Sequence, residues 1–138
     1  MIPRYRAWDK IHKTMYEVDD IMYINFEENQ ICVKTLFFER ASRYDFDDVV
    51  LMQSTGFRDK NGKEIFEGDI LKVTNLSIWL EVVSFNEDKA MFVSKETKRK
   101  VEETPLYDLF NTDIFEVEII GNIWEDGELL DVENTEEN

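Results

Sequence analysis

One histidine, His12, and one cysteine, Cys32, are all the imidazole and thiol this 138-residue chain offers. A zinc site within one chain needs three or four such ligands, so these two cannot build one. A Ser-His-Asp arrangement would have to use His12, whose neighbours Lys10 and Lys13 mark a solvated loop, and no serine stands in a nucleophile elbow. Cys32 lies between Ile31 and Val33 and reads as a small strand residue, not a reactive thiol. Carboxylates are too common to be informative: among 31 Asp and Glu some pair is always close. Such a pair matters only where burial splits the two pKa values. Asp45-Phe46-Asp47 lacks the glycine and distal glutamate of a calcium loop. Neither GxxxxGK[ST] nor GxGxxG occurs. The expectation is a protein with no catalysis, no cofactor and no metal.

Aromatic and charged surfaces are the remaining candidates. In Ile78-Trp79-Leu80 strand alternation sends Trp79 to the face opposite its neighbours. If Ile78 and Leu80 face the core, Trp79 faces outward or is covered within the monomer. Leu36-Phe37-Phe38 poses the same question for Phe37. Exposed aromatics on a β-surface mark an interface. Net charge is −15, unevenly spread. All 16 basic residues fall in residues 1–100 beside 18 acids, whereas residues 101–138 hold 13 acids and no base. Lys95, Lys98, Arg99 and Lys100 form a basic patch that could meet the acidic Glu125, Asp126 and Glu128 of another copy, a contact that salt would weaken. Nucleic acid is an unfavoured partner, because the overall charge opposes phosphate.

The elements that must position these residues read as strands. Alternation places strands at 4–8, 14–18, 21–26 and 31–38, and the spacing is that of a small β-meander. The mixed-charge run 39–48, ERASRYDFDD, reads as a loop and an internal boundary. Further strands are expected at 49–52, 70–73, 78–85, 90–94 and 114–124, with Gly121 a bend or bulge in the last. Lys95–Lys100 reads as a basic loop. Thr104 followed by Pro105 reads as a hydroxyl cap and a first helical residue, starting one short helical turn through about Phe110. Residues 125–130 read as a turn or short helix, and 131–138 as a frayed tail. No apolar run approaches the ~18 residues that span a membrane. The opening MIPRYRAWDK has no apolar stretch of the secretory kind, so a cytoplasmic location is expected.

Leu51 to Val73 organises the rest: strand, tight turn, strand, glycine corner, strand. Asn61-Gly62 supplies the two positive-φ positions of a type I′ hairpin turn. Gly68-Asp69 then breaks the chain before the alternating strand Ile70–Val73, much as at the start of the first long strand of an SH3-like barrel. Asn61, Gly62, Gly68 and Asp69 are thus turn chemistry and not a site. Four blocks in order resemble the YopX-like family of phages and prophages. They are Tyr5–Asp9 with Met15-Tyr16, Leu51–Gly56, Asp59–Ile70, and Ile120–Glu125 with Leu129-Leu130. Ser54 stands where that family more usually has an aromatic, and Gly127 where proline is common. The resemblance implies a mostly β, SH3-like fold and a phage or prophage origin, and it supplies no catalytic residues.

The expected architecture is a single domain: an N-terminal β-extension (1–48), an SH3-like barrel core (49–130) with one or two short helical turns, and an acidic tail (131–138). The expected function is an accessory protein acting by protein–protein contact, chiefly self-association through Trp79, Phe37 and the charged patches. The alternatives are an acidic DNA mimic that inhibits a host nucleic-acid-binding protein, and a small nucleic-acid-binding barrel.

Overall fold

The computed structural model describes residues 2–35, 40–98 and 102–130, and the chain divides into two compact units, Met1–Ser54 and Thr55–Asn138. Both are built almost wholly of antiparallel β-strands, with short 3-10 turns and one short helical turn at 128–130. Among the described residues no helix is long and apolar enough to cross a membrane.

In the first unit β1 (Tyr5–Asp9) pairs with β2 (Thr14–Tyr16). β3 (Ile21–Asn25), β4 (Gln30–Thr35) and β5 (Arg40–Asp45) form a three-stranded sheet. The first half of β6 (Val49–Arg58) runs beside β1, with Asp9 opposite Val49 and Tyr5 opposite Gln53. Ala7, Tyr16, Ile31, Val33 and Val49 make this unit's core. β1 lies between β2 and β6, and Arg6, Ala7, Trp8 and Asp9 are all buried, so it lacks the exposed face that its alternation implies.

The run 39–48 is not a loop. From Arg40 to Asp45 it is β5, in register with β4 over six positions, and a 3-10 turn follows at Phe46–Asp48. Its polar composition has a physical cause. β5 is the outer strand of its sheet, with Arg40, Arg43 and Asp45 exposed, and charge on an edge strand discourages pairing with other chains. The seam between the units falls instead within β6.

In the second unit β7 (Glu64–Phe66) follows β6, and β8 (Asp69–Thr74), β9 (Ile78–Asn86), β10 (Met91–Glu96), β11 (Thr104–Pro105) and β12 (Glu116–Asn122) form one sheet in the order β11-β10-β9-β8-β12. The sheet curls into a half-barrel around Ile65, Leu71, Val73, Val83, Leu106 and Val117. The hairpin turn differs from the type I′ geometry. Gly62 has φ 81°, but Asn61 is not left-handed. A turn closed by the Gly62 N–H donating to the Asp59 carbonyl oxygen leads into Gly62, and the Asp59 carboxylate accepts the N–H groups of Asn61 and Lys63. Side-chain bonding thereby holds a longer loop in which one residue, not two, needs positive φ. At the next corner Gly68 has φ 86°, and buried Asp69 accepts the Phe66 N–H.

A helical turn does follow Pro105, but it is a 3-10 turn over Leu106–Leu109 with Pro105 itself as the cap. Thr104 is a strand residue opposite Ser94 and caps nothing. The pairing with β10 claims its backbone, and the proline's fixed φ suits the start of the turn. In β12 the register with β8 shifts between Ile119 and Gly121.

Candidate functional site

One face of β9, β10 and β11 carries residues whose spacing of two puts them side by side. Trp79, Glu81 and Val83 share that face of β9. On β10, Glu96 stands directly opposite Glu81 and Ser94 opposite Val83, and on β11 Thr104 stands opposite Ser94. The turn Leu106–Leu109 and Phe115 come over this face and leave an open cleft of about 230 Å³. Trp79 and Phe115 meet edge to face, with centroids 6.0 Å apart and planes at 88°. Glu81 is only 6% exposed. One of its oxygens accepts the Trp79 Nε1–H at 2.8 Å and the other the Ser94 hydroxyl at 2.6 Å. Glu96, Glu102 and Asp108 complete the acidic lining, and among the described residues none that lines the cleft is basic.

Glu81 and Glu96 stand opposite each other across β9 and β10, and Glu96 has a partner of its own. Like charges directly opposite on adjacent strands repel, and a buried carboxylate is costly without a cation or several donors. Glu81 has two neutral donors, and among the described residues no basic group lies within ion-pair distance of it.

The described members of the expected interface, Trp79, Lys95, Lys98, Glu125, Asp126 and Glu128, all lie in the second unit. Trp79 is not the outward member of its triplet. It packs against the core of its own unit, and Ile78 is the exposed neighbour, at 63%. Trp79 shares the face of Val83, and on the opposite face Leu80 is buried while Ile78 is exposed. Lys95 is exposed and shares a surface hollow with Lys89, Glu102 and Glu103 of its own chain. Lys98 is half-buried. Glu125 and Asp126 serve the terminal turn: Glu125 accepts the Asn122 side-chain amide and Asp126 the Asn122 backbone N–H. Glu128 is exposed. Phe37, Arg99, Lys100 and the tail 131–138 lie outside the described residues. Sequence reading missed Glu81. A lone acid two positions from Trp79 in an otherwise apolar strand, IWLEVVSF, was the available signal.

Like Asp69, the buried carboxylates of Asp9 and Asp59 act on the backbone. Asp9 is fully buried and accepts the N–H groups of Ile11 and His12. Its second oxygen lies 2.8 Å from His12 Nδ1 and 3.4 Å from the Tyr16 hydroxyl. Burial pushes the Asp9 pKa up, but these bonds outweigh it and hold the carboxyl below its ordinary value. Burial, then Tyr44, raises the Tyr16 phenol well above its usual range. The imidazole is thus oriented by a carboxylate, as a general base would be. Its hydroxyl neighbour is however the Tyr44 phenol, so the group clamps the loop between β1 and β2. Asp59 plays the same part in the second unit. Its other oxygen accepts the Ile119 N–H at 3.0 Å, tying the hairpin turn to β12. Burial is again outweighed by backbone N–H groups, chiefly that of Ile119, and the carboxyl is held below its ordinary value.

Comparison with known proteins agrees with this architecture. A crystal structure of protein EF1440 from Enterococcus faecalis superposes with TM-score 0.59 at 26% identity, covering 94% of this chain and 99% of that one. The crystal structure of YopX from Bacillus subtilis gives 0.62 at 20% identity, covering 91% and 96%. No curated protein matches the chain. The model of the YopX protein family matches residues 4–131, and the chain belongs to that family.

Proposed function

We propose that this YopX-family protein works without catalysis, by contact with another protein, and that the cleft on β9–β11 makes the contact. The observation that carries the reading is the pairing of an aromatic wall with a buried carboxylate whose partners, among the described residues, are two neutral donors. Interfaces gain most from aromatic anchors in desolvated pockets, and an acidic pocket selects a basic partner over an acidic one. A partner other than a second copy is favoured, because Glu125 and Asp126 are engaged in the terminal turn of their own chain. The acidic cleft equally speaks against nucleic acid. The test is a side-by-side affinity capture with tagged full-length chain, wild type and Asp108→Lys. Asp108 is exposed on a 3-10 turn, so the exchange leaves the core intact. A specific protein retained by the wild type and lost by the variant is expected. Identical retention by both overturns the reading.

A further inference from the structure

We propose that His12 is a phosphorylation site: its Nε2 takes a phosphoryl group from an N-phosphoryl donor, the class in which phosphorus is bound to nitrogen. The site lies in the first unit, on the turn 10–13 between β1 and β2. The two nitrogens of the ring have different surroundings. Nδ1 lies 2.8 Å from Oδ2 of Asp9, whose side chain is fully buried. Asp9 also accepts the backbone N–H groups of Ile11 and His12, which favour its ionised form and hold it in place. An ionised carboxylate only accepts, so Nδ1 carries the ring proton and Nε2 the lone pair. The Tyr44 hydroxyl lies 3.4 Å from the same Nδ1. The His12 side chain is 62% exposed, and among the described residues no hydrogen bond is made to Nε2. The fold thus fixes the tautomer and leaves the nucleophilic nitrogen open to solvent.

The same carboxylate favours an adduct on Nε2. In the transfer the Nε2 lone pair forms the new N–P bond while the donor's P–N bond breaks. The electron pair of that bond leaves on the donor nitrogen, which is protonated in the reacting form and departs as a neutral amine. No proton leaves the ring: Nδ1 keeps its hydrogen and the imidazole becomes a cation. Asp9 then meets that cation through a charge-assisted hydrogen bond. A nucleophile oriented by a neighbouring group is the general pattern of covalent chemistry on side chains. The rest of the turn favours an anionic donor. Lys10 and Lys13 flank His12 and are exposed. The Lys10 Nζ donates to the Asp47 carbonyl oxygen, a neutral group that does not cancel its charge. An N-phosphoryl donor brings negative charge to this turn and transfers without a metal-bound nucleotide. The other use of an oriented imidazole, as a metal ligand, lacks company: among the described residues no three His, Cys, Asp or Glu are grouped so as to hold a metal ion.

The test treats the full-length chain with potassium phosphoramidate at about pH 8, where an ordinary imidazole is neutral. Intact mass follows the adduct, and phosphorus–proton NMR assigns its position. The expected result is a single phosphoryl group on His12 Nε2. It should form about tenfold faster than on N-acetylhistidine amide, the change that one charge-assisted hydrogen bond supplies. A clamp with no chemical role would leave Nε2 only as reactive as the free amide. His12→Gln should take up nothing, and Asp9→Asn should react at the rate of the free amide. Asp9 is buried, so if that variant does not fold, the wild-type rate and the adduct's position decide the matter. Lys13→Gln, exposed on the turn, should slow the transfer about twofold. No adduct, an adduct on Nδ1 or on lysine, a rate equal to that of N-acetylhistidine amide, or a folded Asp9→Asn that reacts like wild type overturns the proposal. An unchanged rate in Lys13→Gln overturns the choice of an anionic donor.

Discussion

At the scale of single residues, the strongest constraints are carboxylates that serve the backbone. Asp59 satisfies three N–H groups, one of them sixty residues away on β12. Removing it leaves those donors unpaired beside the core. Asp59→Ala is expected to cost about 3 kcal/mol in denaturant unfolding, because orphaned donors and a lost charged acceptor add up. A change under about 0.5 kcal/mol, the usual size for a surface position, would show that the bond to Ile119 carries nothing. The pH dependence follows from the same bonds. Folding holds the Asp9 and Asp59 carboxyls below their ordinary values. Their contribution is therefore complete above the unfolded value of about 4 and is lost as the pH falls through the folded ones. Asp59→Asn should flatten the acid limb of the stability curve below about pH 4 and leave the slope near neutrality unchanged. A steepened acid limb would refute it. The sequence showed Asp59 and Gly62 as turn residues because turn chemistry is local. It could not show Ile119 as a partner, since nothing in either segment encodes the other.

Among the elements, β12 shows how a strand end is finished. At Gly121 an added Cβ would sit 2.5 Å from Asp126 Oδ2, and that oxygen is already bonded to the Asn122 N–H. Gly121→Ala should therefore destabilise by about 2 kcal/mol, through overpacking and the displaced bond. Combined with Asp126→Ala, it should cost clearly less than the sum of the two single changes, because the second removes the obstacle the first collides with. Additive costs would place the strain elsewhere. Strands and corners were legible where alternation and glycine speak for themselves, as in Ile70–Val73 and Gly68. β5 was not, because its composition answers to its place at a sheet edge, which only the assembled fold defines. Thr104-Pro105 misled for a similar reason: the cap signal is local, and pairing with Ser94 overrode it. The cleft was illegible as a site because its acids come from β9, β10, the segment before β11 and the turn after it, brought together only by register.

For the whole molecule, net charge sets a repulsion between copies. The chain carries −15, and the base-free stretch 101–138 holds 13 of its acids. Two copies at low salt repel over a Debye length that shrinks from about 30 Å at 0.01 M to about 8 Å at 0.15 M. Self-association by a basic patch on an acidic segment would have to overcome that repulsion with groups partly engaged at home. Lys95 lies beside Glu102 and Glu103, and Asp126 bonds the Asn122 N–H. Light scattering should therefore give the mass of one copy at low salt, with no loss of mass as salt rises. A dimer present at low salt and dissolved by salt would restore the basic-to-acidic contact between copies. A dimer that forms only as salt rises would point instead to apolar burial freed from repulsion, for which exposed Leu76 and Ile78 are candidate anchors. The same screening acts within one chain. Raising salt from about 0.01 to 0.15 M should raise the thermal midpoint, because self-repulsion among unpaired acids opposes the compact state. An unchanged or lowered midpoint would mean that the excess acids are spaced too widely to repel, or that ion pairs such as Lys60 with Glu118 dominate the balance.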